Sequence, residues 1–193
     1  FTKYINQRIP DIPINVRYSF KNGSHLQAGA VLRNMYYKDE IKDKDRIVTG
    51  WGASLSGIWQ FAKNTSLCFQ GVYGKGVSNY IQDISGAGLD LVPSTTAEGK
   101  LKAFCAWGGY LGFAHNWCET LSSNIMYSYA RVLDQYGMPA TSYKYAQYAA
   151  ANLFWNFSEY GSCAIEYVFG RRNDFNKDYG NASRINTMIQ YRF

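Results

Sequence analysis

The 193-residue sequence predicts an all-β fold, an antiparallel up-and-down sheet crossing a membrane as part of a barrel, and three observations predict it. Aromatic side chains make up 17% of the residues, with 17 tyrosines among them. Segments of about a dozen residues alternate apolar and polar side chains, the period of a strand with one greasy and one wet face. The connections between those segments alternate as well, short and then long.

No apolar run approaches the roughly 18 residues that a membrane-spanning helix needs, and the mean hydropathy of -0.31 is polar overall. A membrane barrel escapes such a test because its two faces average out. The net charge of +6 is spread along the chain instead of gathered in a basic patch, so no nucleic-acid partner is predicted. Four cysteines (Cys68, Cys105, Cys118, Cys163) show no CxxC spacing and there are only two histidines, so neither a metal site nor a cofactor is predicted. The spacing leaves open free thiols or one disulfide. The chain begins Phe1-Thr2-Lys3-Tyr4 without the basic and apolar regions of an export signal, which is expected to be removed or to lie outside this sequence.

Taken in chain order, strands are expected over 12 to 20 and 25 to 37, parted by Lys21-Asn22-Gly23-Ser24, a set of residues suited to a tight hairpin. After a polar loop at 38 to 48 comes the clearest strand, 50 to 61. Trp51, Ala53, Leu55, Gly57, Trp59 and Phe61 share one face there, and Gly50, Gly52, Ser54, Ser56 and Gln60 the other. Lys63-Asn64 turns the chain into 65 to 76, and the longest loop, 77 to 99, leads to 100 to 115. Asn116-Trp117-Cys118-Glu119 precedes 120 to 132, a loop at 133 to 142 precedes 143 to 157, and Ser158-Glu159-Tyr160-Gly161 precedes 162 to 172. A loop at 173 to 183 then leads to the last strand, 184 to 193. There Ile185, Thr187, Ile189, Tyr191 and Phe193 oppose Arg184, Asn186, Met188, Gln190 and Arg192. Sandwich strands in water average about 5 to 6 residues, so the length of these nine favours a membrane crossing.

With the short turns on the periplasmic side, the first and last strands both run inward. Single-chain bacterial barrels have an even strand count, so nine strands predict that residues 1–193 are the C-terminal portion of one barrel domain whose N-terminal strands precede Phe1.

The ending Tyr191-Arg192-Phe193 resembles the C-terminal signature of bacterial outer-membrane proteins. The stretches HLQAGAVLRNMYY (25 to 37), TGWGASLSG (49 to 57), YIQDISGAGLDLVP (80 to 93) and YVFGRRN (167 to 173) together resemble the DcaP-like porin family of Gram-negative bacteria, including its Bacteroidetes members. The likeness spans essentially the whole chain and the later part of a typical member. It implies a porin barrel of about 16 strands in the outer membrane of a Gram-negative bacterium. It also implies a homotrimer in contact with outer-membrane lipid, passing small hydrophilic, often anionic, solutes.

With the aromatic ladders facing lipid, the expected pore-lining charges are Arg17, Arg33, Lys102, Arg172, Arg184 and Arg192, opposed by Glu166. Such a wall favours anions, unless its arginines pair with acidic groups on other strands or loops. Loop 77 to 99 is too apolar to lie free in water. Folded into the lumen it would form a constriction carrying Tyr80, Gln82, Asp83 and Asp90, with Gly86 and Gly88 supplying turns. It could equally cover the barrel mouth or latch a neighbouring subunit. Tyr36, Tyr37, Trp51, Trp107, Tyr127, Tyr129, Tyr143, Tyr145, Trp155 and Tyr167 are assigned to aromatic girdles at the lipid boundaries. Their role there is structural; for lumen-facing Tyr110 and Tyr148 an aromatic slide for sugars is the weaker, functional alternative. His25 and His115 belong to no recognisable catalytic arrangement, so no catalytic residues are assigned and a barrel enzyme is the weaker alternative, behind a structural or plugged barrel.

Overall fold

The computed structural model describes the backbone of residues 2–4, 7–95, 98–133 and 137–193, with side chains from residue 7 onward. Its strands in chain order are β1 (Thr2–Tyr4), β2 (Ile12–Ser19), β3 (His25–Asp39), β4 (Lys44–Ala62), β5 (Thr65–Lys75), β6 (Leu91–Pro93), β7 (Leu101–Ala103), β8 (Cys105–Asn116), β9 (Leu121–Val132), β10 (Tyr143–Asn156), β11 (Gly161–Asp174) and β12 (Tyr179–Tyr191). Two single 3-10 turns, Ser78–Tyr80 and Gln82–Ile84, precede β6.

All nine expected strands are present, as long antiparallel neighbours in sequence order, within one ten-stranded sheet. The tenth member is β1, which pairs with the far end of β3 on the edge that β2 also occupies. Both run in the same direction along that edge, and the register differs by three residues between β1 and β2. The described strands do not close on themselves: β12 pairs only with β11.

Three boundaries depart from the sequence expectation. The loops expected at 38 to 48 and 173 to 183 shrink to the tight turns 40 to 43 and 175 to 178, because β4 starts at Lys44 and β12 at Tyr179. Alternating hydropathy marks only the stretch that meets lipid, whereas the hydrogen-bonded ladder continues past it into water. Local contacts hold these tips. Asp39 accepts from Arg46 Nε at 2.7 Å and from the Lys42 backbone N–H at 3.2 Å, and Asp178 closes a turn in which its N–H bonds Asn176 Oδ1 at 3.0 Å. The third departure is in the strand expected over 100 to 115, which breaks at Phe104. Its first residues, β7, leave the wall and pair with β6 in a separate two-stranded sheet.

The two faces of the large sheet are chemically opposite. One carries Ile14, Leu32, Leu55, Leu111, Ile125, Ile165 and Ile189, all exposed. Aromatic pairs bracket this band. At the end where the long loop lies, Trp51 meets Tyr73 at 5.8 Å, and Tyr129 stacks between Trp107 (5.0 Å) and Tyr145 (5.5 Å). At the short-turn end Phe20 meets Trp59 at 5.7 Å and Trp155 meets Phe157 at 5.9 Å. Trp51 and Trp59 sit on the same strand, separated by about 26 Å along it at about 3.3 Å per residue, which matches the height of a lipid-facing band. Water would not tolerate so large a contiguous apolar surface.

Two girdle assignments are corrected. Tyr37 is 2% exposed and lies on the opposite face, its hydroxyl accepting from the Leu101 N–H at 2.9 Å. Tyr143 packs against the buried cluster of the long loop and donates to Ala130 O at 3.0 Å. Both stand near strand ends, where a tyrosine serves an internal contact as well as a lipid boundary.

Candidate functional site

The polar face is built row by row across the strands. Arg17, Gln27, Ser56 and Gln70 are successive register partners on β2, β3, β4 and β5. The same row continues through Tyr110, Ser128 and Tyr148 on β8, β9 and β10. Nearer the short-turn end a second polar row includes Asn124, Asn152, Glu166 and Asn186; Asn152 accepts from Asn124 Nδ2 at 2.9 Å and Glu166 from Asn186 Nδ2 at 2.8 Å.

On the loop-end side of the first row the same face turns apolar and small, with Val72, Ala106, Gly108, Ala130 and Val132. Here the long loop lies on the wall. Ile81, Ile84, Leu89, Val92 and Phe104 form a buried cluster with Ala106, Ala130 and Val132. Leu91 joins a second cluster with Met35 and Tyr37. The glycines make room: a Cβ on Gly52 would stand 2.7 Å from the Val77 side chain, and one on Gly108 2.8 Å from Ile81. Gly86 and Gly88 adopt φ of +78° and +70°, the left-handed turns expected of them. The apolar composition of the loop therefore reflects a core of its own, seated on the polar face.

A cluster of polar groups latches the loop. Arg33 of β3 pairs through Nε with Asp11 Oδ2 at 2.8 Å and through Nη1 with Asp90 Oδ2 at 3.0 Å, and it also donates to the Gly76 carbonyl. Asp90 accepts from Ser78 Oγ at 2.7 Å. Tyr80 donates its hydroxyl to Asp11 at 2.7 Å while its ring lies 5.3 Å from the guanidinium. Burial, then the Asp11 carboxylate, raises the Tyr80 pKa above that of an ordinary phenol. Arg33 thus draws together the chain just before β2, the start of the loop and its middle.

The residues expected to line a pore fall into three groups. Arg17, Arg184 and Glu166 lie on the polar face of the wall by register, and Arg192 follows in the same phase just beyond β12. Among the described residues Arg17, Arg184 and Arg192 have no ion pair. Arg33 and Arg172 are on that face but engaged, Arg172 with Asp174 at 2.9 Å and over the Tyr143 ring at 5.7 Å. Lys102 is not on the wall. It sits on β7 opposite Val92, because the chain turns off into the loop hairpin at Phe104. Of the loop residues, Asp90 faces the wall to meet Arg33, and Asp83 accepts from the Tyr143 hydroxyl at 3.1 Å, so neither is an isolated charge opposite a basic wall. Tyr80 and Gln82 border a cavity of about 660 Å³ between the loop and the uncharged stretch of the first row from Gln70 to Tyr148.

Asp11, Gln70 and Ser128 were not singled out from sequence, whereas Tyr110 and Tyr148 of the same row were. Asp11 stands in a stretch with no periodicity, and the row exists only through strand register. The four cysteines carry free thiols, and His115 bonds Thr65 Oγ1 through Nδ1 at 2.8 Å.

Residues 6–193 match the DcaP outer membrane protein family. Among solved structures the chain is similar to the outer membrane channel DcaP of Acinetobacter baumannii, with a TM-score of 0.78 at 19% identity over 100% of this chain and 53% of that one. The chain therefore spans about half the length of that channel. Weaker likenesses are to the NanC porin (TM-score 0.46, 12% identity, 95% of this chain and 93% of that one) and the KdgM porin (0.35, 11%, 95% and 92%). No curated protein matches.

Proposed function

The chain belongs to the DcaP outer membrane protein family and to the outer membrane of a Gram-negative bacterium, and from that premise we propose that it forms one side of a water-filled channel for passive diffusion of small hydrophilic solutes. The observation carrying this reading is the sheet's division into an exposed apolar face bracketed by aromatics and a polar face on which an internal loop is seated. An unpaired strand edge within lipid leaves backbone groups unsatisfied, at several kcal/mol each. Further strands therefore join the β2 and β12 edges and complete a barrel, of about 16 strands by the resemblance. Residues 1–193 are then the C-terminal portion of that domain, and the homotrimer implied by the same resemblance would bury part of the lipid face.

Anion preference, in this reading, comes from Arg17, Arg184 and Arg192, which raise the local concentration of negative solutes. Arg33 and Arg172 contribute less, because carboxylates already neutralise them. Reactions on the solute play no part. A loop that shut the lumen altogether would make the protein a plugged barrel. Single-channel recording of the full-length protein in a planar bilayer separates the two: stepwise openings with an anion-selective reversal potential are expected, and silence from folded protein would overturn the channel reading. Replacing Arg17, Arg184 and Arg192 by Ala should move the reversal potential toward the cation side. An unchanged value would remove these residues from the selectivity argument.

A further inference from the structure

We propose that the uncharged row beneath the loop is a binding subsite for a neutral polyhydroxylated solute of one to three sugar-sized rings. This rests on the channel reading, since the row must face the solute path.

The subsite is Gln70, Tyr110, Ser128 and Tyr148, one side chain from each of four adjacent strands at a single height. Adjacent strands lie about 4.8 Å apart, so the row spans about 14 Å. Tyr80 and Gln82 from the loop border the same cavity of about 660 Å³, which is within the usual range for small-molecule pockets. The Gln70 amide and the hydroxyls of Tyr110, Ser128 and Tyr148 make no hydrogen bond with another described residue, which leaves donors and acceptors available on one line. Tyr110 is 39% exposed and presents ring surface between the amide and the serine.

The charge pattern selects the class. No Lys or Arg lines the cavity, and its one ionisable carboxylate, Asp83, is a hydrogen-bond acceptor that would repel an anion. Arg172, which lies over the neighbouring Tyr143 ring, is turned to Asp174. A solute rich in hydroxyls satisfies amide, phenol and serine groups together, and the apolar face of its rings covers tyrosine. A carboxylate or phosphate finds no cation there. The unpaired arginines and this row thus act on different solute properties, one on charge and the other on hydroxyl pattern.

Maltose serves as the probe, in two measurements on the full-length protein. Isothermal titration of detergent-folded protein reads the subsite whether or not the barrel conducts, and millimolar-range binding is expected. Tyr110→Ala should weaken it by about tenfold through loss of ring contact, and Tyr110→Phe, which keeps the ring, by much less. In the bilayer, maltose should reduce the current through open wild-type channels in a concentration-dependent way, and less so through Tyr110→Ala channels. Binding heats absent from wild type, or equal in wild type and a folded Tyr110→Ala or Gln70→Leu variant, would overturn the proposal. Channels that never open while maltose still binds would sink the channel reading and leave the subsite standing.

Discussion

The polar face behaves differently under the loop and away from it. Between β3 and β9, near the loop end, the wall is small and apolar, its arginine is spent on two carboxylates, and the side chains are buried against Val77, Ile81 and Phe104. On β11 and β12 the same face carries Glu166, Arg184 and Asn186, and among the described residues neither buried cluster of the loop extends over them. One sheet therefore contains an interior that holds itself together and an interior left to water. An arginine is a structural clasp in the first, whereas Arg184 in the second is the field source of the proposed channel, although the sequence presents both as an inward basic residue on an alternating strand.

The largest effect that would break this contrast is expected from Arg33→Ala. It leaves Asp90, whose side chain is 12% exposed, without its cation, and removing one partner of a buried pair costs about 3 to 5 kcal/mol. Hydrogen exchange at the loop amides, among them Phe104 N–H bonded to Asp90 O at 3.0 Å, should accelerate steeply, and conductance should rise as the loop leaves the wall. Unchanged exchange would show that the apolar cluster alone seats the loop. Ile84→Ala tests that cluster. At 1% exposure the truncation should lower the loop's local stability by about 2 to 4 kcal/mol without touching any charge. Protection retained at the wild-type level would count against the cluster as the anchor.

The bare wall should respond in the opposite sense. Arg184→Ala is expected to change denaturation in detergent by no more than about 0.5 kcal/mol while still shifting the reversal potential; a large loss of stability would mean that Arg184 is clasped after all. The smallest effect concerns pH. Because the Tyr80 pKa is raised, its contribution to the latch is fully present below an ordinary phenol's value of about 10 and disappears as pH rises through the folded-state value. Alkaline difference spectra of wild type against Tyr80→Phe should place this one phenol later than the exposed tyrosines. Ionisation at the ordinary value would remove Asp11 as its partner.

The bare wall is also where sequence reasoning works best. The ladder of β12 and the outward set of β4 follow the period of two because lipid on one side and water on the other impose it. Reasoning fails where a third environment intervenes. Met35 and Tyr37 read as a strand end with a girdle tyrosine, yet both are buried with the loop, while Tyr36 keeps the outward phase and is covered by Arg8, 5.7 Å from its ring. Lys102 reads as wall because nothing in the local pattern marks Phe104 as the point where the chain turns away. Asp11, and the alignment of Gln70 and Ser128 with the lumen-facing Tyr110 and Tyr148, depend on register between strands, which alternation within one strand cannot supply.

The register change between β1 and β2 bears on the order of assembly. Apart from β5 and β8, which the long loop separates so that even Lys75 and Cys105 pair across it, each long strand can zip onto its neighbour using contacts close in sequence. The clasp around Arg33 is different. It needs Asp11 delivered by the chain just before β2 on the edge beside β3, and Asp90 delivered by a loop that leaves β5 and must pass β4 to reach it. Seating the loop is thus a late event that tests whether the seam beside β3 has formed. A barrel with that seam unzipped would keep its lumen unobstructed, so the width of the passage would report the completeness of the wall around it.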